Sequence, residues 1–293
     1  MSFVSLQDWV GRTQQMSEAL TEVPLRQMAA LMNDAERMRN PLGAGALPAG
    51  WHWLYFAPMQ IQRLLGPDGH PQRGDFLPPV ALPRRMWAGS RLRWSRDFEP
   101  GMKVSLTSEI LRVTQKSGRT GDMVFVTVGH RYIDSEGPIL QEEQDIVYRE
   151  AASADEKRAL VELGDQVRAG VHAFERQGQT TLPWHCDPVA LFRYSAATFN
   201  GHRIHYDVDY CRQVENYPGL VVHGPLLATL LMHLIQAHVA PGRALASFEF
   251  RALKPTFDIA GFHLHAAPDA RGFQVWTTNN IGQVGVDGRI TLR

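Results

Sequence analysis

The sequence predicts an α+β fold made of two copies of one unit, in which an apolar helix is followed by antiparallel strands. Apolar residues recur at helical spacing in two segments, PLRQMAALMNDAERM from Pro24 and GPLLATLLMHLIQAHV from Gly224. Each segment is followed by β-branched and aromatic runs that short turns separate, and strands do not alternate with helices. Because the same order occurs twice, we expect a duplicated unit with a helix packed against each sheet.

The first unit is expected to occupy residues 1–150 and to begin with helices. Residues 4–38 are predicted to be helical with a break near Glu22, because Pro24 suits the first turn of a new helix. Residues 40–86 are rich in Pro and Gly and are expected to be irregular. Three antiparallel strands follow, in MKVSLTSEILRV, MVFVTVGHRYI and PILQEEQDIVY, joined by the turns KSGRTGD and DSEG.

A charged and polar segment, residues 151–183, is expected to link the two units. Its first part, AASADEKRALVELGDQVRAG, is predicted to be partly helical, and ERQGQTTLP is predicted to be a linker. The second unit, residues 184–293, has a short helix in DPVALFRYSAATF and a long apolar helix between Pro225 and Pro241. Its strands are predicted in ASFEFRAL, GFHLHAA, GFQVWTTNN and QVGVDGRITL.

The composition is that of a chain with a packed core. Apolar residues make up 44% of the 293 residues and charged residues 20%, with a formal net charge of +0. This balance argues against a general nucleic-acid-binding protein, which carries a basic excess. The N-terminus lacks the features of a signal peptide, and no apolar run reaches the roughly 18 residues of a membrane span. We therefore expect a soluble cytoplasmic protein with no nucleic-acid or membrane partner.

A dense polar cluster lies between the short and the long helix of the second unit. The stretch FRYSAATFNGHRIHYDVDY runs from Phe192 to Tyr210. His205 is its acid–base candidate, because histidine has an unperturbed pKa of about 6.5. Together with His202 it could also suggest a metal site. No third ligand of suitable spacing is near in the sequence, and we expect no metal.

Two motifs of the second unit, taken together, resemble those of the MaoC-like hydratases and dehydratases of the hot-dog fold. That family carries a loop of the form Asp-x-Asn-Pro-Ile-His-x-Asp and, later in the chain, Val-His-Gly at the start of a central helix. Here the loop is NGHRIHYD, Asn200 to Asp207, and the second motif is Val222-His223-Gly224. FLPPVALPRRMWAGSRLRW, residues 76–94, is similar to the N-terminal domain of a double hot-dog branch. That branch includes 3-hydroxyacyl-thioester dehydratases and the mesaconyl- and itaconyl-CoA hydratases.

The resemblance implies a double hot-dog fold, with two antiparallel sheets each wrapped around a central helix, and a hydro-lyase activity. His205 would be the acid–base group, and the backbone N–H of Gly224 would stabilise the thioester oxygen at a helix N-terminus. The sequence departs from the family at Asn200, which stands where the family has its catalytic acid. An amide cannot take a proton but can hold the water by hydrogen bonds.

Further residues are candidates for substrate binding. A free carboxylate on the substrate would need an arginine, and Arg203 and Arg193 rank ahead of Arg84 and Arg85 because they flank the loop. Asp207 could orient His205 or cap the following helix, with the cap favoured. The remaining candidates are the motif residues Val222 and His223, and Arg251 and Lys254 for the CoA phosphates. Tyr194 and Phe192 are expected in the core, and neither Cys186 nor Cys211 lies in a nucleophile motif.

The function implied is the addition of water to the double bond of a short carboxylated enoyl-CoA, itaconyl-CoA or mesaconyl-C4-CoA, to give citramalyl-CoA. The first alternative is a 3-hydroxyacyl-thioester dehydratase acting on acyl-carrier protein in fatty-acid synthesis. A thioesterase and a non-catalytic acyl-CoA binder are the further alternatives. No cofactor is expected beyond the CoA of the substrate, and both a monomer and a homodimer fit a double hot-dog chain.

Overall fold

The computed structural model of the chain describes residues 5–118, 121–170 and 178–293. Its described strands form one ten-stranded antiparallel sheet. The N-terminal half contributes five strands: β1 (Thr13–Ala19), β2 (Arg84–Trp94), β3 (Lys103–Gly118), β4 (Gly121–Asp134) and β5 (Gly137–Arg149). The C-terminal half contributes the other five: β6 (Thr180–Trp184), β7 (Leu245–Ala252), β8 (Phe262–Asp269), β9 (Gly272–Asn279) and β10 (Val284–Leu292).

The two halves have the same strand order, which confirms the predicted duplication. From the outer edge inward the order is β1-β3-β4-β5-β2 in the N-terminal half and β6-β8-β9-β10-β7 in the C-terminal half. Strands β2 and β7 pair antiparallel at the centre, with Ser90 opposite Phe250 and Leu92 opposite Phe248. The two predicted sheets are therefore joined edge to edge into one, because their inner edge strands complete each other's hydrogen bonds.

The helices pack on this sheet and supply much of the core. They are α1 (Glu22–Leu31), α2 (Ala35–Arg39), α3 (Ala154–Ala169), α4 (Pro188–Ala197), α5 (Val208–Tyr210) and α6 (Gly224–His233). Helix α6 begins with Pro225 in its first turn and continues as a π-helical turn over Leu234–Val239. Its leucines are almost fully buried, so α6 is the central helix that the apolar stripe predicts. No helix in the described ranges is long and apolar enough to cross a membrane.

The N-terminal helix prediction is wrong for residues 13–19. They form β1, an edge strand that pairs with β3, and the helix α1 starts only at Glu22. Strand β1 has no fully buried side chain, so its sequence lacks the alternation of apolar and polar residues by which a half-buried strand is recognised. The irregular segment 40–86, by contrast, is confirmed as far as Pro83, with only short 3-10 turns.

The predicted linker also contains regular structure. Its charged part forms α3, capped by a reciprocal pair of hydrogen bonds between Ser153 and Glu156. The polar part ends in β6, which pairs with β8 and is the counterpart of β1 in the duplication. Residues 171–177 lie outside the described residues. Strands β1 and β6 are outer edges with few buried side chains, which explains why both were missed. The inner strand β2 was missed as well, since it follows the Pro-rich segment directly and its buried residues lie in its second half.

Candidate active site

A cavity of about 1400 Å³ is lined by residues of both halves of the molecule. The C-terminal half lines it with the loop after α4, with Val221 and with the start of α6. The N-terminal half lines it with the long irregular segment, with the beginning of β2 and with parts of β3, β4 and β5. Such a concave space between two structural units is the usual location of a small-molecule site.

The loop predicted to be catalytic enters this cavity directly after α4. Phe199 has a φ of +51°, a left-handed conformation that turns the chain out of the helix. Bulky residues hold this conformation at a cost, and they are found most often at functional sites. The short turn Arg203–His205 then brings His205 to the cavity wall. Phe192, predicted in the core, is instead 61% exposed at the cavity edge, whereas Tyr194 is buried as expected.

His205 is held in one orientation by two neighbours. Its Nδ1 lies 2.7 Å from the Val221 carbonyl oxygen, so Nδ1 carries the proton and Nε2 is an acceptor. The ring stacks on His223 at 3.6 Å between ring centroids. Burial lowers the pKa of His205 to about 4, although the bond to Val221 opposes the shift. His205 is therefore a neutral imidazole at neutral pH, and its Nε2 has no hydrogen-bond partner among the described residues.

His223 supports the site from behind and does not line the cavity. It is fully buried, and its Nε2 lies 2.8 Å from the Ser195 hydroxyl oxygen. Burial lowers the pKa of His223 well below its usual value, so the ring stacked on His205 is uncharged. Val222 is also buried, and its N–H donates to the Thr256 carbonyl. The expectation that these two residues bind substrate is therefore corrected: they form the wall behind His205.

Asn200 and Gly224 both line the cavity, as the motifs predict. The side-chain oxygen of Asn200 accepts the His202 N–H at 3.0 Å, which leaves its amide N–H groups available. Gly224 is the first residue of α6, and a Cβ built on it meets nothing within 4 Å. Its N–H donates to no described acceptor. An oxygen with growing negative charge would be stabilised there by the N–H and by the positive end of the helix.

Of the two arginines that rank first in the sequence, Arg203 lines the cavity but is already paired, and Arg193 does not line it. Arg203 forms a hydrogen-bonded ion pair with Asp207 at 2.8 Å, and it also donates to the Pro67 carbonyl. Arg193 is exposed on α4 and does not line the cavity. Asp207 caps α5 by accepting the Tyr210 N–H at 2.9 Å, so the capping role is confirmed, and it does not orient His205.

Arg84 and Arg85 lie at the beginning of β2, and both line the cavity. Arg84 is already neutralised, since its guanidinium is 3.5 Å from the Glu215 carboxylate and donates to the Tyr217 hydroxyl. Arg85 has no ion pair with a described carboxylate within 4.0 Å. Burial lowers the pKa of Arg85, while the Tyr148 hydroxyl and Asp68 favour its charge. Of the four predicted arginines, Arg85 alone remains available to an anionic ligand.

Lys254 and Arg251, the two candidates for binding the CoA phosphates, differ in position relative to the cavity. Lys254 is exposed and lines the cavity, whereas Arg251 is exposed on β7 outside the lining. Lys254 thus keeps its candidate role and Arg251 loses it. Burial raises the pKa of the Cys186 and Cys211 thiols to about 12, so neither is a ready nucleophile.

A further group of polar side chains on the cavity wall was not predicted from the sequence. The turn Gly66–His70, in the segment predicted to be irregular, places Asp68 and His70 on the cavity wall beside His202. Asp68, His70 and His202 offer ligand atoms that all lie within 4.8 Å of one another, a grouping that could hold a metal ion. The third ligand that the local spacing lacked thus comes from a distant part of the chain. The only available signal was the Asp-Gly-His turn itself.

The chain is similar to known proteins in sequence and in fold. Residues 50–258 match the family model for hydroxyacyl-thioester dehydratase type 2. The chain is 44% identical, over 92% of its length and 91% of the relative's, to a protein of Chloroflexus aurantiacus named mesaconyl-C(4)-CoA hydratase.

Two solved structures show the same fold at low sequence identity. One is a MaoC-like dehydratase, with a TM-score of 0.69 at 15% identity and with 99% of each chain covered. The other is a Mycobacterium tuberculosis protein described as a double hot-dog fold, with a TM-score of 0.54 at 14% identity and with 97% and 96% covered. The fold, the catalytic loop and the matched segment together show that the chain belongs to the hydroxyacyl-thioester dehydratase type 2 family of MaoC-like double hot-dog hydro-lyases.

Proposed function

We propose that the chain adds water to the double bond of a short enoyl-CoA that carries a free carboxylate. Mesaconyl-C4-CoA is the proposed substrate, itaconyl-CoA is the second, and citramalyl-CoA is the product. The observation that carries this proposal is the half-buried Arg85, which has no ion pair with a described carboxylate and shares a cavity with His205 and Gly224. The name of the Chloroflexus relative supports the same substrate class.

Hydration of an enoyl thioester requires three contacts, and the cavity offers a group for each. Gly224 N–H binds the thioester oxygen, on which negative charge grows as water attacks Cβ. Asn200 donates a hydrogen bond to the water, and His205 accepts one through Nε2. A neutral imidazole of the cavity wall takes the proton that the water loses and returns it to Cα. No electrons are transferred, so the proposed reaction needs no cofactor besides the CoA of the substrate.

Arg85 explains why a carboxylated ester would be preferred. A carboxylate moved from water into a buried site needs a charged partner, and a guanidinium offers two parallel hydrogen bonds. Without such a ligand Arg85 keeps a charge that burial disfavours. A substrate carboxylate would therefore offset the free-energy cost of holding the Arg85 charge in the cavity wall. The carboxylate would itself gain a charged partner. Lys254 at the exposed end of the lining is the proposed contact for a CoA phosphate.

The dehydratase of fatty-acid synthesis is the second candidate function, because the matched family is described as hydroxyacyl-thioester dehydratase type 2. Its substrates carry an uncharged acyl chain, which would leave the half-buried Arg85 without an anionic partner. For that reason we place it second.

The test compares Arg85→Ala with Arg193→Ala, a matched change at an exposed arginine outside the cavity. Both are assayed with mesaconyl-C4-CoA and with crotonyl-CoA, which lacks the carboxylate. Removing a buried charge partner typically costs about 3–5 kcal/mol, so Arg85→Ala should lower kcat/KM for the carboxylated ester by about a hundredfold or more. Activity with crotonyl-CoA should stay the same or rise, and Arg193→Ala should change neither. A parallel loss with both esters would remove the carboxylate assignment and favour the dehydratase.

A further inference from the structure

The turn Gly66–His70 is fastened to the catalytic loop by backbone contacts. The Arg203 N–H donates to the Asp68 carbonyl at 2.9 Å, and the Arg203 guanidinium donates to the Pro67 carbonyl at 3.1 Å. Gly69 has a φ of +87°, and a Cβ on it would lie only 1.9 Å from the Gly201 carbonyl oxygen. Only glycine fits this approach. The turn is thus built as part of the site, although it is far from the loop in sequence.

Within this turn Asp68 holds His70 at two points. One carboxylate oxygen of Asp68 accepts the His70 backbone N–H at 3.0 Å, and the other lies 3.0 Å from His70 Nδ1. A carboxylate at that distance fixes the tautomer with the proton on Nδ1 and leaves Nε2 as an acceptor. His70 lines the cavity, and its Nε2 bonds to no described residue.

Four histidines line the cavity: His70, His130, His202 and His205. In His70 and His205 a hydrogen bond to an oxygen acceptor fixes the proton on Nδ1, and these two differ in what supports them. His205 donates its Nδ1–H to the neutral Val221 carbonyl, whereas His70 donates to the Asp68 carboxylate. When an imidazole takes a proton, a carboxylate on its other nitrogen stabilises the imidazolium more than a carbonyl does. Asn200 cannot take the proton. The missing acidic residue of the loop thus has a structural substitute in the N-terminal half.

We propose that His70, oriented by Asp68, is the general base of the reaction, with His205 left to hold the water; this rests on the proposed hydratase function. The water oxygen bonds to Cβ while one of its protons moves to His70 Nε2, and the electron pair of the double bond passes to the thioester oxygen at Gly224. His70 then returns that proton to Cα and the thioester carbonyl re-forms. One hydroxyl and one proton are added, and the enzyme ends as it began.

The electrostatic surroundings keep the His70 ring in its neutral form, the form that can accept a proton. Burial is the largest cause that lowers the pKa of His70 to about 4, and Arg85 adds to it, while Asp68 opposes both. Burial alone would raise the pKa of Asp68, but the hydrogen bonds from the ring and the backbone N–H of His70 oppose it, and the pKa is lowered. Asp68 is therefore ionised and His70 neutral at neutral pH. The titratable and charged groups that act on His70 are Asp68, Arg73, Arg85, His202 and His205.

The experiment uses the whole chain with mesaconyl-C4-CoA, and His238→Gln, an exposed histidine outside the cavity, is the matched control. Asp68→Asn removes the anion that stabilises the imidazolium, so kcat should fall by at least about a hundredfold while KM changes by less than about threefold. Asp68→Glu should keep more activity than Asp68→Asn. His70→Ala should be as inactive and should regain activity with added imidazole, increasingly as the pH rises and more of the imidazole is neutral. His70→Gln, of similar size, serves if the alanine variant does not fold.

The outcomes separate this inference from the proposed function. An active wild type with Asp68→Asn and both His70 variants within about tenfold of it would overturn the base assignment alone. A wild type that hydrates neither mesaconyl-C4-CoA nor crotonyl-CoA would overturn the proposed function and the inference together. Loss of wild-type activity in a chelator, with recovery on adding zinc, would also overturn the inference, because the cluster of Asp68, His70 and His202 would then bind an ion.

Discussion

At the scale of single residues, His205 depends on a ring behind it and a carbonyl beside it. The stack on His223 and the bond to Val221 leave the imidazole one orientation, so its contact with water is determined before substrate arrives. Such preorganisation lowers the cost of orienting the water during the reaction.

Replacing His205 with Ala should lower hydration by at least about a hundredfold, because the variant loses the acceptor that holds the water. The fold should persist, since the cavity already borders this side chain. Steady-state kinetics with circular dichroism as the folding control measure both. Activity within about tenfold of wild type would remove His205 from the chemistry.

Asn200 accepts the His202 N–H and is proposed to donate a hydrogen bond to the reacting water. Two substitutions should distinguish these contacts. Asn200→Ala loses both the acceptor for the His202 N–H and the donor to water, and turnover should fall by about a hundredfold. Asn200→Asp keeps the acceptor and should be tolerated or only mildly harmful, because the family has Asp at this place. Rate measurements at one pH on both variants are sufficient. An unaffected Asn200→Ala would mean that another group holds the water.

The candidate site residues of the C-terminal half could be predicted from sequence because all of them lie between positions 200 and 224. His205, Asn200 and Gly224 belong to two short motifs, and the structure brings all three to one cavity. Asp68 and His70 could not be predicted in this way, since they lie more than a hundred residues earlier in a segment without periodicity. The order of the candidate arginines could not be predicted for a related reason. Proximity in sequence favoured Arg203, but its guanidinium forms an ion pair with Asp207.

At the scale of elements, the contact between the turn Gly66–His70 and the catalytic loop requires glycine at Gly69 for two reasons. Gly69 needs both the left-handed φ of +87° and the space beside Gly201. Gly45 has a similar φ of +77°, but a Cβ added to it would meet nothing within 4 Å. Substitutions at the two glycines therefore distinguish the effect of backbone strain from the effect of the close contact.

Gly69→Ala should lower kcat by at least about tenfold and should destabilise the protein by more than Gly45→Ala does. A left-handed alanine costs on the order of 1 kcal/mol in either variant, and only Gly69→Ala adds a clash that moves the turn away from the loop. Thermal unfolding and kinetics of the two variants are compared. Equal effects on both would show that the contact is not needed.

Strands and helices could be predicted where burial of one face gives the sequence a regular spacing of apolar residues. Strands β3, β4, β5 and β7 to β10 lie where their apolar and β-branched runs predict them. Strands β1 and β6 were missed because outer edge strands bury too few side chains to give an alternating pattern. Strand β2 was missed because the buried residues of its arginine-rich sequence lie only in its second half. Helix α6 was predictable because its apolar stripe faces the sheet.

At the scale of the whole molecule, many buried histidines should make stability depend on pH. Burial lowers the pKa of His70 and His205 to about 4 from 6.5, and it also lowers the pKa of His130, His202 and His223. The unfolded chain then binds more protons than the folded chain as the pH falls below 6.5, so acid favours unfolding. His205 thereby contributes stability on the order of 3 kcal/mol that is present above pH 6.5 and lost towards pH 4, and the other buried histidines act in the same direction.

The melting temperature should therefore be constant above about pH 7 and should fall steeply between pH 6.5 and 4. His205→Gln should weaken this dependence, while His238→Gln should leave it unchanged. Calorimetry at several pH values provides the measurement. A melting temperature that does not change across this range would mean that the histidine rings are hydrated.

The central claim is that the duplicated fold forms one site that adds water to a carboxylated enoyl-CoA. The most direct measurement is mass analysis of the thioester after the purified chain is mixed with mesaconyl-C4-CoA. We expect a thioester heavier by one water, identified as citramalyl-CoA, with no release of free CoA. Free CoA with the unsaturated acid would show a thioesterase, and an unchanged ester would show a binding protein; either result would exclude the proposed hydration.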